Sequence, residues 1–156
     1  MNDRSPEHIR PLLVRIDRLM AERERVLVAI DGGSASGKTT LGALLQSIYG
    51  CPVFHMDDFF LRPEQRTPER FSEPGGNVDR ERFLEEVLRE GKTVDYRRFD
   101  CKTFTIASPR RIEPGRLNII EGAYAMHPDL APYYDLTVFL AVSAEKQRER
   151  ILKRNA

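Results

Sequence analysis

The segment Gly32 to Thr40, GGSASGKTT, constrains the fold of this chain more than any other part of its sequence. It satisfies the pattern G-x-x-x-x-G-K-[ST], in which glycines let successive backbone N–H groups turn toward phosphate oxygens. The motif needs a buried strand before it and a helix after it, whose N-terminus attracts anions. Val26 to Ile30 is a short apolar run, and Lys38 to Tyr49 carries leucines at helical spacing. The motif is therefore preceded by a predicted strand and followed by a predicted helix, as a phosphate loop requires.

The loop predicts binding of a nucleoside triphosphate, taken to be ATP, together with Mg²⁺. We expect Lys38 to reach the β- and γ-phosphates and the Thr39 hydroxyl to ligate the metal ion. Lys38 is therefore a candidate catalytic residue as well as a binding residue. The predicted nucleotide-binding residues are Gly32, Gly33, Ser34, Ala35, Ser36, Gly37, Lys38, Thr39 and Thr40.

Hydrophobic patterning divides the rest of the chain into alternating helices and strands. Ser5 and Pro6 are typical of a helix start, although Pro11 favours a regular helix only from there on. The further predictions are a strand at Pro52 to Met56, a long polar loop from Asp58 to Val78, a helix capped by Asp79, an antiparallel hairpin of Thr93 to Phe99 with Thr103 to Ile112, buried strands at Leu117 to Ile120 and Leu136 to Val142, and an Arg-rich final helix.

This alternation predicts an α/β fold: a P-loop NTPase-type doubly wound parallel sheet in three layers, α/β/α, with a short β-hairpin insertion. At 156 residues we expect a single domain, 1–156. The Asp58 to Val78 segment is longer than an ordinary connection, which favours a functional loop or partial disorder.

Composition limits the partners and the location. The net charge is +1, from 25 basic and 24 acidic residues, so there is no basic excess to favour a nucleic acid or a membrane surface. No stretch approaches the roughly 18 apolar residues of a membrane span, and the N-terminus opens polar. Cys51 and Cys101 have no metal-ligand spacing and fit free thiols in a reducing compartment. We expect a cytoplasmic protein with a small-molecule partner, and homo-oligomerisation stays open.

Two carboxylates lie at the ends of predicted strands and limit the classes of nucleotide-dependent reaction that the chain could catalyse. Asp57 follows the strand after the phosphate-loop helix, at the sheet edge where open α/β folds bind ligands. A carboxylate there can accept a proton from an attacking hydroxyl, lie near Mg²⁺, or do both. Glu121 ends the strand Leu117 to Ile120 and is predicted to face the metal. No Asn-Lys-x-Asp motif of guanine readers occurs, which favours a small-molecule kinase over a GTPase.

Five segments together resemble one family. They are GGSASGKTT, MDDFF, GGNVDRERF, IIEGAY and RERILKRN, and they occur in the order of the uridine kinase and phosphoribulokinase family of phosphate-loop kinases. The resemblance runs from Val26 to Asn155. It implies an ATP- and Mg²⁺-dependent kinase that transfers a phosphoryl group to a hydroxyl, most simply that of a nucleoside.

The resemblance also assigns roles by position. It implies that Asp57 is the general base and faces magnesium, and that Glu121 contributes to the metal site. Asp79 would hold the ribose hydroxyls, Tyr96 and Phe99 would pack on the base, and arginines of the late helix would clamp phosphates. The implied substrate-binding residues are Asp79, Tyr96, Phe99, Arg150 and Arg154.

The acceptor stays open at this point. Phe60 stands where uridine kinases carry a tyrosine, and Phe104 lies near the place of a uracil-reading histidine. Pantothenate, nicotinamide riboside, a sugar, or a regulatory nucleotide-binding role are the alternatives. The family continues through a lid and a final core strand, which we expect to be lacking from 1–156. His8, His55 and His127 show no metal spacing and receive no role.

Overall fold

The computed structural model describes residues 6–33, 36–88, 94–96, 99–100, 102–103, 105–106, 110–113 and 115–141. The helices are α1 (Pro6–Glu22), α2 (Lys38–Tyr49), α3 (Pro68–Ser72) and α4 (Arg80–Phe83), which continues as a π-helical turn over Leu84–Leu88, with 3₁₀ turns at Met56–Asp58, Pro63–Gln65 and Ala131–Tyr133. The strands are β1 (Val26–Gly32), β2 (Val53–His55), β3 (Val94–Tyr96), β4 (Phe99–Asp100), β5 (Thr105–Ile106), β6 (Arg110–Ile112), β7 (Leu117–Glu121) and β8 (Leu136–Leu140).

Four strands form the central sheet in the order β2-β7-β1-β8, and every pairing in it is parallel. β7 lies between β1 and β2, with Ile30 opposite Glu121 on one side and His55 opposite Glu121 on the other. β3 pairs with β6 and β4 with β5, both antiparallel, as the predicted hairpin requires. The open parallel sheet and its hairpin insertion confirm the predicted fold class.

Each face of the sheet carries its own apolar cluster, because side chains alternate along a strand. On one face, β1 packs Val26, Val28 and Ile30 against α1 and α2. On the other, Leu27 and Ala29 pack with residues of α4 and of the 54–61 segment. The buried members of this second cluster are Leu27, Ala29, Phe54, Met56, Phe59, Val78, Phe83, Val87, Leu88, Ile120, Ala125 and Leu130. The sheet is thus the middle of three layers.

Several local predictions need correction. α1 begins at Pro6 and passes through Pro11, because its apolar face packs on the sheet and outweighs one lost backbone hydrogen bond. The polar 58–78 segment is folded: it holds a 3₁₀ turn, α3 and a bridge between Phe60 and Val78. β8 was expected to be buried, but Phe139 is 63% exposed. Only one face of β8 packs on the α1 and α2 cluster of the described structure.

No helix among the residues that the structure describes is long and apolar enough to cross a membrane.

Gly122 sets how closely β7 approaches the turn after β2. Its φ is 153°, and a Cβ placed on it would lie 2.4 Å from Cβ of Met56. Real Cβ atoms do not approach so closely, so only glycine permits this packing. Because Met56 directly precedes Asp57, the contact fixes the separation between Asp57 and Glu121, the residue before Gly122.

Gly122→Ala should destabilise the protein by about 2–4 kcal/mol, since it adds a collision to an unfavourable backbone conformation. Gly42→Ala is the matched control, because Gly42 is helical and its added Cβ would meet Val53 at an ordinary 3.4 Å. That control should gain roughly 0.5–1 kcal/mol from helix propensity. Urea unfolding of both variants measures the difference; equal midpoints would contradict the packing argument.

Candidate active site

The candidate site lies where β1, β7 and β2 end, since parallel strands bring their carboxyl ends to one edge of the sheet. β1 leads into the phosphate loop, β2 leads into the turn that carries Asp57, and β7 ends at Glu121 between them. The sequence predicted this convergence from three separate motifs. The structure brings Lys38, Thr39, Asp57 and Glu121 together.

The phosphate loop joins β1 to α2 through a left-handed residue. Gly37 caps α2 with φ 98° and ψ 15°, a conformation that favours glycine. The Lys38 ammonium donates to the Gly33 carbonyl at 2.8 Å, which curls the side chain back over the loop. Oγ of Ser36 is buried and has no hydrogen-bond partner among the described residues. Gly32 and Thr40 flank this loop, while Ser34 and Ala35 lie outside the described residues.

Glu121 is a buried carboxylate at the centre of the site. Its residue is only 2% exposed, yet two side chains reach it from neighbouring elements. The Thr39 hydroxyl of α2 donates to Oε1 at 3.5 Å, and Nδ1 of His55, the last residue of β2, lies 2.5 Å from the same oxygen. Thr39 and Glu121, both predicted on the metal side, are therefore direct neighbours.

Asp57 lies on the exposed rim of this cluster, in the 3₁₀ turn Met56–Asp58. Partial burial and the nearby Glu121 carboxylate raise the pKa of Asp57, and Lys38 opposes this rise. Electrostatic coupling to both Glu121 and Lys38 means that Asp57 shares their site. A carboxyl with a raised pKa is a better proton acceptor than an ordinary aspartate, which suits a general base.

His55 is a site residue that the sequence analysis missed. The hydrogen bond to Glu121 raises the pKa of His55, against the opposing effect of its partial burial. The only sequence signal was its position two residues before Asp57, at the end of a strand. Its pairing with Glu121 depends on the parallel β2–β7 register, which no local pattern reveals.

Asp31 is a second residue that was missed. It is 8% exposed, and its carboxylate accepts hydrogen bonds from the backbone N–H groups of Gly32, Tyr124 and Met126 at 2.6, 3.1 and 3.0 Å. Asp31 therefore ties the start of the phosphate loop to the turn that follows Glu121. Its one sequence signal is a charged residue that directly follows the apolar run Val26 to Ile30, just before the loop.

Asp79 has an environment unlike that of an open substrate-binding group. It caps α4, is 0% exposed, and accepts hydrogen bonds from Nε of Arg62, Nε2 of Gln65 and the backbone N–H of Arg82 at 3.0–3.1 Å. The Arg82 guanidinium also lies 3.5 Å from it. Asp79 thus joins the 58–78 segment to α4, and its predicted contact with ribose stays a prediction that requires Arg62 or Gln65 to move.

The remaining predicted substrate residues are placed only in part. Phe99 is 2% exposed, with the Arg66 guanidinium 5.6 Å from its ring centroid. Tyr96 lies in β3, but its side chain, like Arg150 and Arg154, lies outside what the structure describes.

A cleft of about 470 Å³ adjoins the cluster. Thr39, His55 and Asp58 form its polar end, and Ala43 and Ile112 contribute apolar walls from α2 and β6. The cleft is large enough for a small molecule. It lies between α2 and the hairpin, beside Thr39 and His55, and its lining residues include none of Asp57, Glu121, Asp79 and Phe99.

The protein alone offers few ligands to a metal ion. Within the described ranges no group of three or more His, Cys, Asp or Glu side chains could hold one. Mg²⁺ in nucleotide sites is usually held by one or two protein groups, by phosphate oxygens and by water. Thr39 with Asp57 or Glu121 matches that smaller donor set.

No family model matches this chain. Among curated proteins, it is 28% identical over 145 residues to uridine kinase-like protein 4 of Arabidopsis thaliana, covering 86% of this chain and 31% of that protein. It is also 28% identical over 142 residues to a uridine kinase of Chloroflexus aurantiacus, covering 83% of this chain and 68% of that protein. The chain thus spans less than a third of the first relative and about two thirds of the second.

A solved structure matches over nearly the whole fold. The structure of a possible uridine kinase from Bacillus stearothermophilus superposes with a TM-score of 0.66 and 26% sequence identity, covering 93% of this chain and 90% of that one. In both sequence and fold the chain is therefore uridine kinase-like, and the resemblance predicted from its motifs is confirmed.

Proposed function

We propose that this chain is an ATP- and Mg²⁺-dependent kinase that transfers the γ-phosphoryl group to a hydroxyl of a small molecule, most simply a nucleoside. The observation that carries the proposal is the convergence of Lys38, Thr39, Asp57 and Glu121 at one sheet edge. This set supplies a cation for phosphate, oxygen ligands for a metal ion and a proton acceptor for a hydroxyl.

The loop fits the phosphate groups of a nucleotide. Oγ of Ser36 is a buried donor without a partner among the described residues, and a phosphate oxygen in the loop would satisfy it. Lys38 reaches the loop carbonyl of Gly33, so a small side-chain rotation carries its ammonium onto a bound anion. The N-terminus of α2 adds the partial positive charge of a 12-residue helix.

Asp57 and Glu121 have different roles in this proposal. Glu121 is buried and held by His55 and Thr39, so it suits a fixed metal-facing role. Asp57 is exposed, so it can meet an acceptor and take its hydroxyl proton. Bound Mg²⁺ would neutralise charge on the transferred phosphoryl group. A neutral hydroxyl gains from such a base, whereas an ionised phosphate acceptor does not.

The identity of the acceptor is proposed from the similarity of this chain to its curated relatives and from the residues predicted to bind substrate. Both curated relatives reported above carry uridine kinase in their names. In this proposal Asp79, Tyr96 and Phe99 contact the acceptor, and Arg150 and Arg154 contact phosphate. A non-nucleoside alcohol such as pantothenate or a sugar is the alternative acceptor. Acceptor-dependent ADP release, measured across nucleosides, pantothenate and sugars, tests the proposal; ATP turnover that no acceptor stimulates would favour a regulatory role.

Lys38→Ala should abolish phosphoryl transfer and weaken ATP binding while the melting temperature stays unchanged. The substitution removes a cation aimed at the phosphates and no core packing. Lys102→Ala is the control, because Lys102 is exposed on the hairpin turn. Calorimetry of ATP binding and a turnover assay measure both variants. If Lys38→Ala matches the control in affinity and turnover, the phosphate-loop role is wrong.

Asp57→Asn should lower turnover by about 10²-fold or more, the scale of a lost general base, with a smaller change in ATP affinity. Asp58→Asn removes the neighbouring charge of the same 3₁₀ turn and serves as the matched comparison. We expect the loss at Asp58 to be at least tenfold smaller. Steady-state kinetics at saturating ATP measure both. Equal losses would show that net charge, and not a particular carboxylate, matters.

Asp79→Ala should raise the acceptor KM and also lower stability by about 3 kcal/mol, because it removes a buried anion from two arginines. Thr67→Ala is the control: Thr67 also caps a helix, through a 3.1 Å bond to the Arg70 N–H, but holds no ion pair. That control should cost about 1 kcal/mol. An unchanged acceptor KM in folded Asp79→Ala protein would assign Asp79 a purely structural role.

A further inference from the structure

Among the described residues, His55 is the closest hydrogen-bond partner of the Glu121 carboxylate. Its Nδ1 lies 2.5 Å from Oε1, whereas the Thr39 hydroxyl lies 3.5 Å from the same oxygen. An ionised carboxylate only accepts hydrogen bonds, so Nδ1 carries the hydrogen of this contact, in the neutral ring as in the charged one. The tighter of the two restraints on this carboxylate therefore comes from a histidine, and not from the helix of the phosphate loop.

The parallel sheet brings His55 to Glu121. The two residues are paired in the β2–β7 ladder, so their side chains leave the same face of the sheet. α2 covers that face: a Cβ added to Gly42 would lie 3.8 Å from Cγ of Glu121, and Thr39 lies one turn earlier on the same helix. Glu121 is thus enclosed by a strand neighbour at its side and by a helix above it.

Packing alone does not require a histidine at position 55. The His55 side chain is 41% exposed and lines the cleft together with Asp58. β2 is an edge strand of the described sheet, and a half-exposed position at the end of an edge strand accepts many residue types. What the imidazole adds there is a donor for the buried carboxylate, which an apolar residue would not supply.

The two donors act on one oxygen of Glu121. Since Oε1 accepts from both His55 and Thr39, Oε2 is the oxygen that remains for a metal ion or for its bound water. Without His55, the buried carboxylate would keep only the long bond from Thr39 among the described residues, and an undercompensated buried charge turns toward other donors. Residues that orient a metal ligand in this way contribute strongly to metal affinity.

We propose that His55 is a positioning residue, which holds the Glu121 carboxylate in the orientation needed for Mg²⁺ and so sets the affinity of the site for metal-bound nucleotide. This inference rests on the proposed kinase function, since it concerns the metal ion of that reaction. His55 acts through Glu121, while proton transfer stays with Asp57.

Binding of a non-hydrolysable ATP analogue, measured by calorimetry with Mg²⁺ and again in EDTA, tests the proposal without turnover. His55→Leu removes the donor, whereas His55→Asn places an amide N–H near the position of Nδ1. We expect His55→Leu to weaken binding of the Mg²⁺-bound analogue about tenfold, the scale of one lost partner of a metal ligand. Binding in EDTA should not change, and His55→Asn should keep most of the affinity of the wild type.

Two further variants complete the design. His127→Leu is the matched control, because His127 also lies beside a carboxylate, that of Asp129 at 3.8 Å, but does not contact Glu121. It should change neither affinity. Glu121→Ala removes the group on which His55 acts, so adding His55→Leu to Glu121→Ala should weaken binding of the Mg²⁺-bound analogue no further. Melting temperatures establish that each variant is folded.

The outcomes separate this inference from the proposed function. Equal affinity of wild type and His55→Leu for the Mg²⁺-bound analogue overturns the inference. An equal loss with Mg²⁺ and in EDTA also overturns it, because His55 would then support the loop and not the metal ion. A further loss in the double variant overturns it as well, because the effect would not pass through Glu121. A loss confined to Mg²⁺ and restored by His55→Asn supports the inference, even if no acceptor stimulates ADP release, which would reject the kinase proposal alone.

Discussion

The position of β7 between β1 and β2 is the constraint on which the site depends. Both pairings are parallel, and together they bring Glu121 beside Ile30 on one side and His55 on the other. A shift of one residue in either register would turn Glu121 to the opposite face of the sheet, away from Thr39. The buried apolar residues of β7 prevent such a shift, because it would carry Ile119 and Ile120 into each other's clusters. Core packing thus sets the geometry of the acids.

The segments that follow β1, β2 and β7 at this edge also contact one another directly. Gly122 allows the turn of Asp57 to pack closely on the end of β7. Asp31 joins the beginning of the phosphate loop to the residues after Gly122. The site therefore does not rest on independent loops, since a movement of one strand end displaces groups on the other two.

Sequence patterns predicted the fold class, and named Lys38, Thr39, Asp57 and Glu121 as candidate site residues, because those features are local. The phosphate loop has a fixed spacing, and Val26 to Ile30 is a continuous apolar run. The two missed residues, His55 and Asp31, owe their roles to partners that are distant in sequence. His55 contacts Glu121 across 66 residues, and Asp31 contacts Tyr124 across 93. Contacts between residues so far apart produce neither a periodic pattern nor a fixed spacing, so a single sequence does not reveal them.

The fold of the 58–78 segment also could not be predicted from sequence patterns. Its polar composition predicted a long loop, yet it folds because Asp79 gathers Arg62 and Gln65 from it. Polar pairing with the buried Asp79 orders its middle, and Phe59, Leu61 and Val78 are buried near its two ends. These apolar residues follow no helical or strand period, so hydrophobic patterning had little to detect. α3 itself is short and begins with the Thr67 cap and Pro68.

The ionic anchor at Asp79 has an evolutionary consequence. Relatives that change acceptor would be expected to vary this segment, but residues bonded to Asp79 cannot change singly without leaving a buried charge poorly compensated. Exposed positions such as Glu64, Glu69 and Phe71 lie in the same segment, make no bond to Asp79 and can be substituted without this cost. The segment thus contains residues that hold the fold through Asp79 and exposed side chains that can be replaced, so that a new specificity can arise without loss of the fold.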